Sequence, residues 1–139
     1  YYIETNRCHY NHAHHREGLD VREQIIKEQC PEYLPAFEKV MNRTWAHMFN
    51  MFVMRRDYFK DYMEWLFSVL FELERQIDIT DWDTYNSRVY GFVAERLLDV
   101  WLEHNNIDYT EQNVSFMEKQ DWLKKGSLFL KRKFLGRPL

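Results

Sequence analysis

Apolar positions recur with a helical period along most of this chain. Residues 57–75 show it best, with Phe59, Tyr62, Met63, Leu66, Phe67, Leu70 and Leu73 at i, i+3, i+4 spacing. Trp65, Val69 and Phe71 fall off that stripe, so the predicted helix is apolar most of the way round and belongs at the centre of the core. A second helix is predicted to about residue 105, capped by Asp83 or Thr84, with Val89, Phe92, Val93, Leu97, Val100 and Trp101 as its buried stripe. Asn105 and Asn106 end it. Upstream, Asp20 followed three residues later by Glu23 reads as a capping box. It opens a helix over 21–30 that buries Ile25 and Ile26. Pro31 starts a further short helix, which Pro35 kinks and which ends near Val40 and Met41. Residues 1–15 have no clear period and read as one helix or an irregular stretch, and a last helix is predicted over 119–134.

Residues 44–54 follow a different rule. Trp45, His47, Phe49, Met51 and Val53 alternate with Ala46, Met48, Asn50, Phe52 and Met54. Both sets are apolar apart from His47 and Asn50, so a strand here would be covered on both faces and would need a sheet. Residues 109–116 are the one other strand candidate, which predicts that part of the sheet lies outside this chain. The fold class is therefore mostly α with a small β component, in a single domain over residues 1–139. The chain opens on Tyr1-Tyr2-Ile3-Glu4, with no initiator Met and no signal-peptide pattern, as the middle of a longer protein would.

Composition narrows the function. Aromatic residues are 17% of the 139, enough ring surface to fill a dense core at about 150–250 Å² per ring. The four glycines form neither GxGxxG nor GxxxxGK[ST], so the two commonest nucleotide fingerprints are absent. With 19 basic residues against 22 acidic ones, the chain lacks the basic footprint of nucleic-acid binding. Lys124, Lys125, Lys131, Arg132, Lys133 and Arg137 make the C-terminal segment locally basic, either a solvated helix end or an interfacial patch. No stretch approaches the roughly 18 uncharged apolar residues of a membrane span, so a soluble domain is expected. Cys8 and Cys30 are too few for a disulfide scaffold and point to a reducing compartment.

The candidate chemistry lies mainly on the helix that ends near residue 105. Arg88 and Glu95, seven residues apart, nearly eclipse on one face, Asp99 and Glu103 continue the row, and Arg96 sits about 80° round from Arg88. A carboxylate flanked by arginines fits a general base with an anion clamp; the same spacing fits a solvated stripe of charge pairs. Cys8, His9, His12, His14 and His15 cluster in sequence, but no second ligand pair follows, so no metal site is assigned; a polar binding surface is the better reading and a plain exposed segment better still. A buried Asn50 must be hydrogen-bonded, either tying down a loop or facing a polar ligand. Trp45, Trp82, Tyr85 and Tyr90 could stack on a sugar, but in so aromatic a chain the core claims them first. There is no Ser-His-Asp order, CxxC pair or HExxH.

Several stretches together resemble the C-terminal half of a family of bacterial glycosyltransferases from capsular and exopolysaccharide gene clusters, long catalogued as a domain of unknown function. They are residues 1–5 (YYIET), 12–15 (HAHH), 31–34 (PEYL), 47–54 (HMFNMFVM), 64–67 (EWLF) and 88–97 (RVYGFVAERL), with Trp101 and Leu102 following. The resemblance implies a GT-A-like α/β fold, of which this chain is the acceptor-side half. A nucleotide sugar is the implied donor and a saccharide the implied acceptor, at the inner, cytoplasmic face of a membrane. It implies Glu95 as catalytic base, Arg88 or Arg96 on the diphosphate leaving group, and Asn50 and His12 lining the cleft. No cofactor is implied within this chain; a divalent metal would come through the family's N-terminal half. That half's acidic motif and His-Tyr-Arg-Arg stretch have no counterpart here, so the isolated chain is expected to be inactive. The alternative is a non-enzymatic helical domain whose aromatic surface docks on a partner.

Overall fold

The computed structural model describes residues 4–13 and 17–115 together with 117, 121, 123, 126 and 127, and the side chains of these except 12, 13 and 17–19. The chain divides into two units, Tyr1–Asp108 and Tyr109–Leu139. In the first, the helices are α1 (Asn6–Ala13), α2 (Glu17–Gln29), α3 (Leu34–Asn42), α4 (Arg56–Gln76) and α5 (Val89–His104), with 3-10 turns at Pro31–Tyr33 and Asn86–Arg88. In the second, residues 109–115 form neither helix nor strand, and the helix predicted over 119–134 falls almost wholly outside the described residues.

The axis of the first unit is α5. Val89, Phe92, Val93, Ala94 and every residue from Arg96 to Trp101 are buried, and α5 packs on α2, α3 and α4. The apolar pattern put residues 57–75 in that place. Instead α4 buries Tyr62, Leu66, Val69 and Leu73 along one side and leaves Phe59, Phe67 and Phe71 exposed. The reason is charge. Lys60, Asp61, Glu64, Glu74 and Arg75 stand on α4 and stay in solvent, since unpaired charges are expensive to bury. The charged residues of α5 find partners within the fold.

Local signals set most of the boundaries. Pro35 falls in the first turn of α3 and Pro31 opens the preceding 3-10 turn. A missing N–H costs nothing at those positions, so Pro35 starts a helix rather than kinking one. Because α2 begins at Glu17, Asp20 lies inside it instead of capping it. Neither Asp83 nor Thr84 caps α5, whose N-cap is Arg88 with no side-chain hydrogen bond; Asp83 Oδ1 instead accepts the N–H groups of Tyr85 at 2.9 Å and Asn86 at 3.1 Å, at the 3-10 turn before α5. Asn6, 2% exposed, ties α1 to the end of α3, donating through Nδ2 to the carbonyls of Val40 at 2.8 Å and Trp45 at 2.9 Å.

The predicted strand over 44–54 is not formed, and no strand occurs among the described residues, 109–115 included. The small β component is thereby corrected. The segment turns at Phe49 and Asn50, whose φ values of 75° and 50° lie in the left-handed region, a conformation that interrupts a pleat. Its His47 and Phe49 N–H groups bond carboxylates of α5 rather than a neighbouring strand, so among the described residues there is no orphaned strand in need of outside neighbours.

Candidate functional site

Gly91, Glu95, Asp99 and Glu103 recur every fourth residue on α5 and so share one face, drifting about 40° per step. Residues 39–50 run antiparallel along that face. Lys39 and Arg43 both pair with the Glu103 carboxylate. The His47 N–H donates to Asp99 Oδ2 at 2.9 Å, and its Nδ1 lies 2.5 Å from Asp99 Oδ1. A carboxylate only accepts, so Nδ1 carries the proton there. The Phe49 N–H bonds the Glu95 carboxylate. Last, Asn50 Nδ2 reaches the Gly91 carbonyl at 3.4 Å. The acidic row read from the sequence is a rail to which one stretch of the chain is stitched.

The rail is dry at Asp99 and wetter on either side, at Glu95 and Glu103. Asp99 is 2% exposed. Its charge adds to the effect of burial in pushing the Tyr62 phenol well above its ordinary range. Glu95 is half-buried, and burial raises its pKa above the usual carboxylate value against the opposing pull of Arg96, Arg88 and the Phe49 N–H. A carboxyl raised by burial and bordered by two cations is a candidate for proton exchange with a substrate.

The remaining predicted site residues separate. Arg88 is exposed at the start of α5, with its guanidinium carbon 5.4 Å from the Phe92 ring centroid. Arg96 turns inward: it is 1% exposed, bonds the Phe92 carbonyl through Nη1 at 2.9 Å, and places Nη2 3.3 Å from His9 Nδ1. Asn50 is exposed on its turn rather than buried. The structure thus gathers Glu95, Arg88 and Asn50 along the first half of α5 and sends Arg96 into the core. The side chain of His12 lies outside the described residues, as do those of His14, His15 and the basic positions 124, 125, 131–133 and 137. Among the described residues no group of three His, Cys, Asp or Glu side chains could hold a metal ion.

A family profile described as Domain of unknown function (DUF4422) matches residues 1–106. The chain belongs to this family. The matched stretch of the DUF4422 chain contains α1 to α5, the stitched segment and every site residue named above. No curated protein and no solved structure matches.

Two features of the DUF4422 chain escaped the sequence reading. The His47–Asp99 pair joins residues 52 apart in sequence, and only an unexplained polar residue in each apolar run marked it. Arg22 is enclosed in the core beside Ile25 and Ile26. Its spacing from them, i+3 and i+4, is the signal that could have placed it on the buried face.

Proposed function

We propose that this chain is the acceptor-side part of a GT-A-like glycosyltransferase of capsular or exopolysaccharide assembly, carrying a sugar from a nucleotide-sugar donor to a saccharide acceptor. The observation that carries the reading is Glu95, a carboxyl raised by burial yet bordering solvent, between Arg88 and Arg96. It stands within the stretch of sequence that resembles such enzymes. In this reading Glu95 takes the proton of the acceptor hydroxyl as its oxygen bonds to the sugar carbon. The bond from that carbon to the nucleotide diphosphate breaks, and the diphosphate leaves with the electron pair. Of the two arginines, Arg88 is the exposed one, so contact with the leaving diphosphate falls to it. Arg96 then acts on Glu95 from the core side. Asn50, held against Gly91, lines the acceptor approach, with His12 as a further lining residue. A divalent metal would enter with the nucleotide-binding half. The basic C-terminal segment would meet a membrane surface at the cytoplasmic face; among the described residues no helix is long and apolar enough to cross one.

The test is transfer by the full-length protein carrying Glu95→Gln. Loss of a general base is expected to slow turnover by about 10²–10⁴-fold with the thermal midpoint preserved. Turnover equal to the unaltered enzyme removes Glu95 from the mechanism. A second reading, a helical interaction domain, is favoured by the exposed Phe59, Phe67 and Phe71 on α4. It predicts a partner lost on replacing those rings and indifference to Glu95→Gln.

A further inference from the structure

Arg22 is as enclosed as any side chain in the protein, at 0% exposure. Its guanidinium carbon lies 5.4 Å from the Tyr10 ring centroid and 5.2 Å from that of Phe37. Nη2 approaches the Met41 sulfur at 3.6 Å, a weak acceptor. The other two nitrogens, Nε and Nη1, are buried without a hydrogen-bond partner. The neighbouring carboxylate does not serve it, for Glu23 bonds Arg7 through Oε2 and Lys27 through Oε1, each at 2.7 Å. A second buried guanidinium, that of Arg96, stands 4.9 Å from the same Tyr10 ring. Burial, helped by Arg96 and Arg7 and opposed by Tyr10 and Glu23, lowers the Arg22 pKa to about 9.

At neutral pH Arg22 is therefore still a cation, set in a dry core next to another. An enclosed charge with unmet donors is among the most costly arrangements a fold can hold, and an oxyanion at those donors offsets it. We infer that Arg22, with Tyr10 and Arg96 beside it, forms a buried oxyanion site that takes a phosphoryl group. A planar guanidinium matches the oxygens of phosphate. Two cations around one ring favour the double negative charge of a phosphoryl group over the single charge of a carboxylate or chloride. The cover is α1, which carries Tyr10 and is eight residues long. The site shares Arg96 with the Glu95 face, but its argument from Arg22 does not rest on the transferase reading.

The test follows thermal unfolding of the full chain in inorganic phosphate, pyrophosphate or a nucleoside diphosphate, each against chloride at matched ionic strength. Saturating oxyanion is expected to raise Tm by about 5 °C. Arg22→Met, which removes the unmet charge, is expected to start from a higher Tm and to lose the response. A response to phosphate and pyrophosphate assigns the site to the free ion; a response to the nucleoside diphosphate alone assigns it to a nucleotide-borne phosphoryl group. If no oxyanion exceeds chloride, or if Arg22→Met responds like the unaltered chain, the inference is overturned. Should Arg22→Met fail to fold, Arg22→Lys keeps the charge and removes the guanidinium fork. It is expected to bind pyrophosphate at least about ten-fold more weakly, and equal binding overturns the inference as well.

Discussion

Glu95 carries a structural load and a candidate chemical one, and the two respond to pH in ways that can be separated. Burial raises its pKa in the folded chain, so the folded state prefers it protonated. The stabilising contribution is then fully present below the ordinary carboxylate pKa of about 4.3 and is lost as pH rises through the folded value. Replacing Glu95 by Gln removes this titration and leaves an amide oxygen that can still accept the Phe49 N–H. The expected outcome is a chain at least as stable as the original at pH 7, with a flatter profile of Tm against pH above about pH 4. Unfolding scans over pH 4–8 check it. A Glu95→Gln chain that unfolds at lower temperature at pH 7 would show that the charged form is held by Arg88 and Arg96 more strongly than burial opposes it. The same residue illustrates what sequence can reveal at this scale. Periodicity placed Glu95 on a face with Arg88, but the Phe49 N–H that occupies it belongs to a segment 46 residues away, and no local rule reaches so far.

Between α3 and α4 the chain had two ways to satisfy its backbone. A strand would have used a ladder; the segment instead uses carboxylates spaced every fourth residue on α5. Alternation of apolar residues suits a covered strand and equally a strap that turns one set toward a helix, and the pattern does not discriminate between them. The left-handed pair Phe49-Asn50 decides it. Asn tolerates positive φ better than most residues, yet Phe does not favour it, so propensity gave little warning. If the strap is held at its centre by Asp99, then Asp99→Ala removes both the main-chain and the ring bond to His47. Breaking such a buried contact is expected to cost about 3 kcal/mol by chemical denaturation. Amide exchange should rise at residues 45–50 well before it rises in α4. Uniform loss of protection through α4 and α5 would mean that Asp99 supports the core itself rather than the strap.

At the scale of the molecule, helix existence was legible and helix rank was not. Four of the five helices α1 to α5 were foreseen from apolar spacing and proline position, since those signals are local. Which helix sits at the centre depends on where charges find partners, and that is settled only by the assembled fold. On apolar content α4 should have been central; it lies at the side because its own charges find solvent, while α5 is enclosed because Glu103, Asp99 and Arg96 each bond to another part of the unit. The difference has a measurable consequence. Leu97 on α5 is fully buried, whereas Phe71 on α4 is 60% exposed. Truncating Leu97 to Ala removes packed methyl groups and leaves a cavity, at an expected cost of about 2–5 kcal/mol. Truncating Phe71, the larger side chain, is expected to cost within about 0.5 kcal/mol. Urea unfolding of both variants provides the comparison. If Phe71→Ala destabilised the chain as much as Leu97→Ala, the outer face of α4 would be buried in solution, and the order of the two helices around the core would have to be reversed.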